Sequence, residues 1–258
     1  KLVASNVLTH VKCFGGNDGA LNLTVTGGVT PYNFSWSNGA KTEDLSGLKI
    51  GKYVVTVTDK NNCTVKDSGQ ITEPPLLTVS HTITDVKCFS GNDGAMDITV
   101  NGGVTPYVYS WNSGDITQDI TNKTTGTYKV TITDKNLCVL KDSGFISQPA
   151  APLTSTLALV PVNCFGGNDG SADLSVSGGT SPYTYSWSNG KSSQDLTGLN
   201  KGIYYVTITD ANNCKLLDTA DITQPALPLQ STHKATNIKC FGDATGSVDL
   251  TVTGGTTP

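Results

Sequence analysis

Cysteine and aspartate are the residues of this chain whose types and spacing could do chemistry. Seven cysteines form two regular series: Cys13, Cys88, Cys164 and Cys240, then Cys63, Cys138 and Cys214. No C-x-x-C occurs and no His recurs beside them, so the pattern is not that of a zinc site. Regularly placed cysteines in a small β unit point instead to disulfides and an oxidising, extracytoplasmic setting. The simplest pairing is internal to each unit: Cys13 with Cys63, Cys88 with Cys138, Cys164 with Cys214. Each would close a span of 50 residues, stabilising by roughly 4 kcal/mol through lost chain entropy. The alternative follows if the first loop and the last hairpin lie at opposite poles of a sandwich. Cys13 would then meet Cys138, and Cys88 would meet Cys214, stapling neighbours. Free thiols are the third alternative.

The aspartates recur as well. Asp18, Asp93 and Asp169 sit in Asn-Asp-Gly loops; Asp59, Asp134 and Asp210 end a strand. Oxygen-rich loops of this kind can bind calcium and stiffen a junction. Asn, Asp and Gly are also what tight turns demand. A fourth loop keeps its Gly246 but carries Thr245 in place of the Asp, which favours the turn; no cofactor is expected. The three His residues, His10, His81 and His233, fit no repeated active site, because each copy would need its own base and convergent partners. No spacing singles out a carboxylate pair for glycoside hydrolysis. Catalysis is therefore not expected.

These residues are positioned by a repeat. Trp36, Trp111 and Trp187 lie 75 and 76 residues apart, and in each complete copy the flanking cysteines fall 23 residues before and 27 after. The length varies only where Pro clusters, at 74–75, 149–152 and 225–228, as linkers do. Units are expected at 1–75, 76–151 and 152–227, with 228–258 the first, truncated part of a fourth.

Within a unit the chain alternates with period two, as half-buried strands do. Leu21, Leu23 and Val25 face one way, as do Met96, Ile98 and Val100, and Ala172, Leu174 and Val176. After a Gly-Gly break, Tyr32, Phe34 and Trp36 share a face, and Tyr53, Val55 and Val57 another. Six or seven short strands in about 75 residues predict a small Greek-key sandwich of the Ig-like kind. The fold class expected is all-β, tandem Ig-like β-sandwich modules in a linear rod. Trp36, Trp111 and Trp187 are the expected core plugs. Tyr53, Tyr128 and Tyr204 stand where a tyrosine corner would.

Composition excludes other classes. All 17 basic residues are Lys and the net charge is −4, a poor basis for gripping phosphate, so no nucleic-acid partner is expected. No run of 18 apolar residues occurs, so no membrane-spanning helix is expected. The exposed face carries no repeated aromatic platform: Tyr205 has Val54 and Lys129 as counterparts.

The string C-F-G-G-N-D-G, then G-G-x-x-P-Y-x-[FY]-S-W, then G-x-Y-x-V-T-[VI]-T-D-x-x-x-C resembles the SprB repeat. The pieces stand at 13–19, 27–36 and 51–63 and recur in the next two copies, with Ser90 replacing one Gly. The resemblance covers the whole chain. It implies a segment of a very large cell-surface adhesin of gliding bacteria, exported by type IX secretion and displayed as an extracellular filament. The partners so implied are neighbouring repeats, the gliding and secretion machinery, and surface polysaccharide. Two other functions fit the residues: a carbohydrate-binding module array, and a non-catalytic spacer in a secreted hydrolase.

Overall fold

The computed structural model describes residues 1–256. All regular structure in them is β-strand. The chain divides into two compact units. One comprises Lys1–Asp85 with Asp93–Ile146; the other comprises Val86–Asn92 with the chain from Ser147 onward.

The first unit holds two sandwiches. The first has strands β1 (Val3–Thr9), β2 (Gly19–Thr26), β3 (Asn33–Trp36), β4 (Leu45–Leu48), β5 (Gly51–Thr58) and β6 (Thr64–Ile71). They form two three-stranded antiparallel sheets, ordered β1-β2-β4 and β3-β5-β6. The second has β7 (Thr78–Thr84), β8 (Gly94–Asn101), β9 (Val108–Trp111), β10 (Ile120–Lys123), β11 (Gly126–Thr133) and β12 (Val139–Ile146). Its sheets are β7-β8-β10 and β9-β11-β12. This strand exchange between two sheets is the Ig constant-type pattern with one edge strand missing. Each copy has six strands; the stretch 37–44, where a seventh would run, is turn and bend. It is tied down locally, with the Trp36 indole N–H donating to the Thr42 carbonyl at 2.8 Å and the Leu23 N–H donating to Asp44 at 2.8 Å.

The cores are small and apolar. Leu21, Leu23, Trp36, Leu45, Val55, Val57 and Ile71 close the first; Met96, Ile98, Trp111, Ile120, Val130 and Ile132 close the second. Burying each such side chain contributes roughly 1.5–3 kcal/mol. The indoles of Trp111 and Trp187 donate to the carbonyls of Thr117 and Ser193, so each Trp fills its core without orphaning its N–H. Tyr53, Tyr128 and Tyr204 are tyrosine corners: each hydroxyl donates to the carbonyl four residues upstream, on Lys49, Thr124 and Asn200, at 3.0–3.1 Å.

The second unit repeats the sandwich with β13 (Thr154–Val160), β14 (Gly170–Ser177), β15 (Thr184–Trp187), β16 (Leu196–Leu199), β17 (Gly202–Thr209) and β18 (Lys215–Ile222). Leu174, Trp187, Val206, Ile208 and Ile222 are in its core. A final hairpin, β19 (Gln230–Thr236) and β20 (Ser247–Thr253), pairs antiparallel and leaves Val248, Leu250 and Val252 exposed.

Candidate functional site: a cystine-stapled loop and hairpin

The site is built from two backbone devices. The first is the hairpin between β5 and β6 and its counterparts. Asp59 ends β5 and is buried. One carboxylate oxygen accepts the N–H groups of Asn61 and Cys63 at 2.8 and 2.9 Å; the other accepts the Val29 N–H at 3.0 Å. Asp134 repeats this with Asn136, Cys138 and Val104, and Asp210 with Asn212, Cys214 and Thr180. The carboxylate thereby locks the hairpin and latches it to the loop ahead of β3. Burial alone would raise the Asp59 pKa, but the N–H groups of Cys63, Val29 and Asn61 outweigh it and hold the carboxyl below its ordinary value. Gly28, at φ 68, permits the latch, because a Cβ there would come within 3.0 Å of the Asp59 carboxylate.

The second device is the loop between β1 and β2. Val11 is buried beneath it, and its N–H donates to the Thr72 carbonyl. Gly16 N–H donates to the Cys13 carbonyl at 3.0 Å, Gly15 N–H to Glu73 at 2.8 Å, and Lys12 N–H to Asp18 at 3.1 Å. The third copy matches it through Gly167, Gly166 with Gln224, and Asn163 with Asp169. There the Asn163 side-chain amide and backbone N–H hold the Asp169 carboxyl below its ordinary value.

In the first unit this loop meets a hairpin. Cys13 is bonded to Cys138, with Cα atoms 5.7 Å apart, and the Asn136 amide donates to the Lys12 carbonyl at 2.8 Å. In the second unit Cys88 is bonded to Cys214, also at 5.7 Å, and the Asn212 amide donates to the Lys87 carbonyl at 2.9 Å. Phe14, Leu76, Leu77, Val139 and Leu140 line a cleft of about 240 Å³ beside the first bond.

This corrects the pairing expected inside each repeat, and is the alternative in which neighbouring repeats are stapled. Cys13 is not joined to Cys63, nor Cys88 to Cys138, nor Cys164 to Cys214; Cys63, Cys164 and Cys240 are exposed thiols. The reason is strand length. The loop bearing Cys13 lies at the end of the sandwich where Gly19 pairs Leu48, and the hairpin bearing Cys63 at the other, where Lys60 N–H reaches the Val29 carbonyl. Eight residues of β2 separate these ends, about 25 Å at the rise of a strand, whereas disulfide Cα atoms must come within about 7 Å.

Asp59, Asp134, Asp210, Asp18 and Asp169 spend oxygens on backbone N–H groups, and no three His, Cys, Asp or Glu side chains cluster as metal ligands among the described residues. His81 bonds Asp142 at 2.7 Å, an edge contact made in the first copy by Asn6 with Asp67. Sequence reasoning passed over Asn136 and Asn212; their signal was an Asn two residues before the hairpin cysteine.

The SprB repeat family matches residues 5–41, 80–116, 156–192 and 232–258, together more than half of the chain. The chain belongs to the SprB repeat family. No curated protein sequence matches the chain. Among solved structures, the chain is similar to the N-terminal eight Ig domains of Down Syndrome Cell Adhesion Molecule isoform 1.30.30, at 12% identity and a TM-score of 0.39 over 87% of this chain and 37% of that one. The SprB chain thus spans little more than a third of that relative. It is also similar to Dpr2 Ig1-Ig2 in complex with DIP-Theta Ig1-Ig3, at 9% identity and a TM-score of 0.31 over 86% of this chain and 99% of that one. The Ig-like assignment rests on the strand pairing of the SprB repeats themselves.

Proposed function

We propose that this chain is a load-bearing segment of the shaft of a secreted bacterial cell-surface adhesin that serves gliding motility and surface attachment. Membership of the SprB family supports the surface and gliding context. The observation that carries the mechanical part is the stapling of one repeat's first loop to the next repeat's last hairpin, Cys13–Cys138 and Cys88–Cys214. A junction made only of a Pro-containing linker transmits tension through one strand of backbone. A cystine beside it gives tension a second covalent route. Each staple closes a loop of 125 or 126 residues, stabilising by about 5 kcal/mol in the chain-entropy treatment. Disulfides of this kind persist outside the reducing cytoplasm. The residues act by holding shape, with no bond made or broken in use.

The test is immunolabelling of intact cells with antibody raised against the chain. Labelled spots that move along the cell surface, and vanish when the gene is deleted, are the expected result. Label reached only after cell lysis sinks the proposal.

A further inference from the structure

We propose that Cys164 and Cys63 are the two complementary open halves of the same staple, and that the partner of each is another SprB repeat: a hairpin cysteine for Cys164, a first-loop cysteine for Cys63. The inference goes beyond the adhesin reading and does not depend on it, because it concerns only which repeats recognise each other.

The loop at Cys164 has the shape of the two loops already stapled. Gly167 N–H donates to the Cys164 carbonyl at 3.0 Å, as Gly16 does to Cys13 and Gly91 to Cys88. A positive φ follows two residues after each cysteine, at Gly15, Ser90 and Gly166. A long polar side chain pins each loop, from Glu73, Gln148 and Gln224. Val11, Val86 and Val162 are buried beneath them. The cleft beside Cys164 is lined by Asn163, Phe165, Pro225, Pro228 and Leu229 and measures about 460 Å³. At the stapled Cys13 the corresponding cleft is about 240 Å³, and Val139 and Leu140 of the docked hairpin are part of its lining. An apolar hairpin flank of the Val139-Leu140 kind fits that space.

Cys63 presents the converse half. Its hairpin carries the same carboxylate latch as those of Cys138 and Cys214. Asn62 has φ 65 where Leu137 has 67 and Asn213 has 65. Asn61 is exposed, while Asn136 and Asn212, in its place, are half-buried and reach the carbonyls of Lys12 and Lys87. Cys63 therefore stands in a seat preformed for a first loop.

Closing such a staple needs an oxidant, here a small disulfide such as oxidised glutathione. One protein thiolate attacks it and releases a glutathione thiolate; the second protein thiolate then attacks the mixed disulfide and releases the other. One protein S–S bond forms, two cysteines lose two electrons and two protons, and the small disulfide becomes two thiols.

The experiment lengthens the full chain. A copy of residues 107–151 is appended after Pro258, which supplies the fourth repeat with a duplicate of Cys138. A second version places a copy of residues 152–227 ahead of Lys1, which supplies a duplicate of Cys164 to native Cys63. Both are oxidised with the glutathione pair and mapped by non-reducing proteolysis. The expected links are Cys164 to the duplicate Cys138, and the duplicate Cys164 to Cys63. In the first version, alkylatable cysteines fall from the three of the native chain to two, although one has been added. Links from the duplicate Cys138 to Cys240, or Cys164 still alkylated while the two native cystines persist, overturn the proposal. Loss of both native cystines in both lengthened chains overturns it equally, since a seat that cannot accept another repeat is not a docking seat.

Discussion

A buried carboxylate that accepts three backbone N–H bonds fixes a hairpin more firmly than turn propensity alone, and Asp59 does this where an exposed aspartate would be only a turn residue. Its pKa is held below the ordinary value, so its contribution to stability is fully present above the unfolded-state value of about 3.9. That contribution is lost as pH falls through the lower folded value. Urea unfolding followed by Trp fluorescence between about pH 5 and pH 2 should show a falling midpoint, and Asp59→Asn should lower the midpoint at neutral pH while flattening the acid limb. At the next hairpin Leu137 occupies φ 67 and is 79% exposed. A left-handed backbone costs an ordinary L-residue roughly 1–2 kcal/mol, less for Asn, and Asn is what the other two hairpins carry at Asn62 and Asn213. Leu137→Asn should therefore raise stability by about 0.5–1 kcal/mol, read as a higher urea midpoint with an unchanged slope.

Between the two sheets of each sandwich, strand β6 meets β2 at a position where there is room for only one side chain. A Cβ on Gly69 would lie 2.5 Å from Leu8 and 2.9 Å from Leu21, and on Gly144 it would lie 3.0 Å from Met96. The third copy carries Ala220 and Ala172 at the corresponding positions, both buried in one core. Gly69→Ala alone should cost about 1–3 kcal/mol by overpacking, and Leu21→Ala alone about 2–5 kcal/mol by leaving a cavity. Together they reproduce the pairing of the third copy, so the double variant should cost clearly less than the two singles added, which a double-mutant cycle in urea reads directly. Trp111→Ala should cost about 3–5 kcal/mol by the same measurement. The strands themselves were legible in the sequence because period-two alternation reports a half-buried face: Leu21, Leu23 and Trp36 are where the pattern places them. The tyrosine corners at Tyr53, Tyr128 and Tyr204 were legible because one Gly-x-Tyr spacing recurs. The trade between Gly69 and Leu21 was not, because it is a contact across sheets that no single strand's alternation records. The cystine partners were legible only as alternatives. Nearness along the chain favoured Cys63 for Cys13, and the length of β2 decides against it.

For the whole molecule, the order of the bonded cysteines matters more than their number. Cys88 lies inside the stretch closed by Cys13–Cys138, and Cys214 lies outside it, so the two closed loops overlap rather than follow one another. The shortest covalent route through a fully unravelled chain crosses at Cys13, returns from Cys138 to Cys88, and crosses again to Cys214. That route omits about 150 residues, so at about 3.5 Å per residue roughly 500 Å of backbone is withheld from stretching. Pulled from its ends in an optical trap, the oxidised chain should reach its limit that much sooner than the same chain under reductant. Thiol state would then set extensibility: the same polypeptide is a short tether when oxidised and a long, yielding one when reduced.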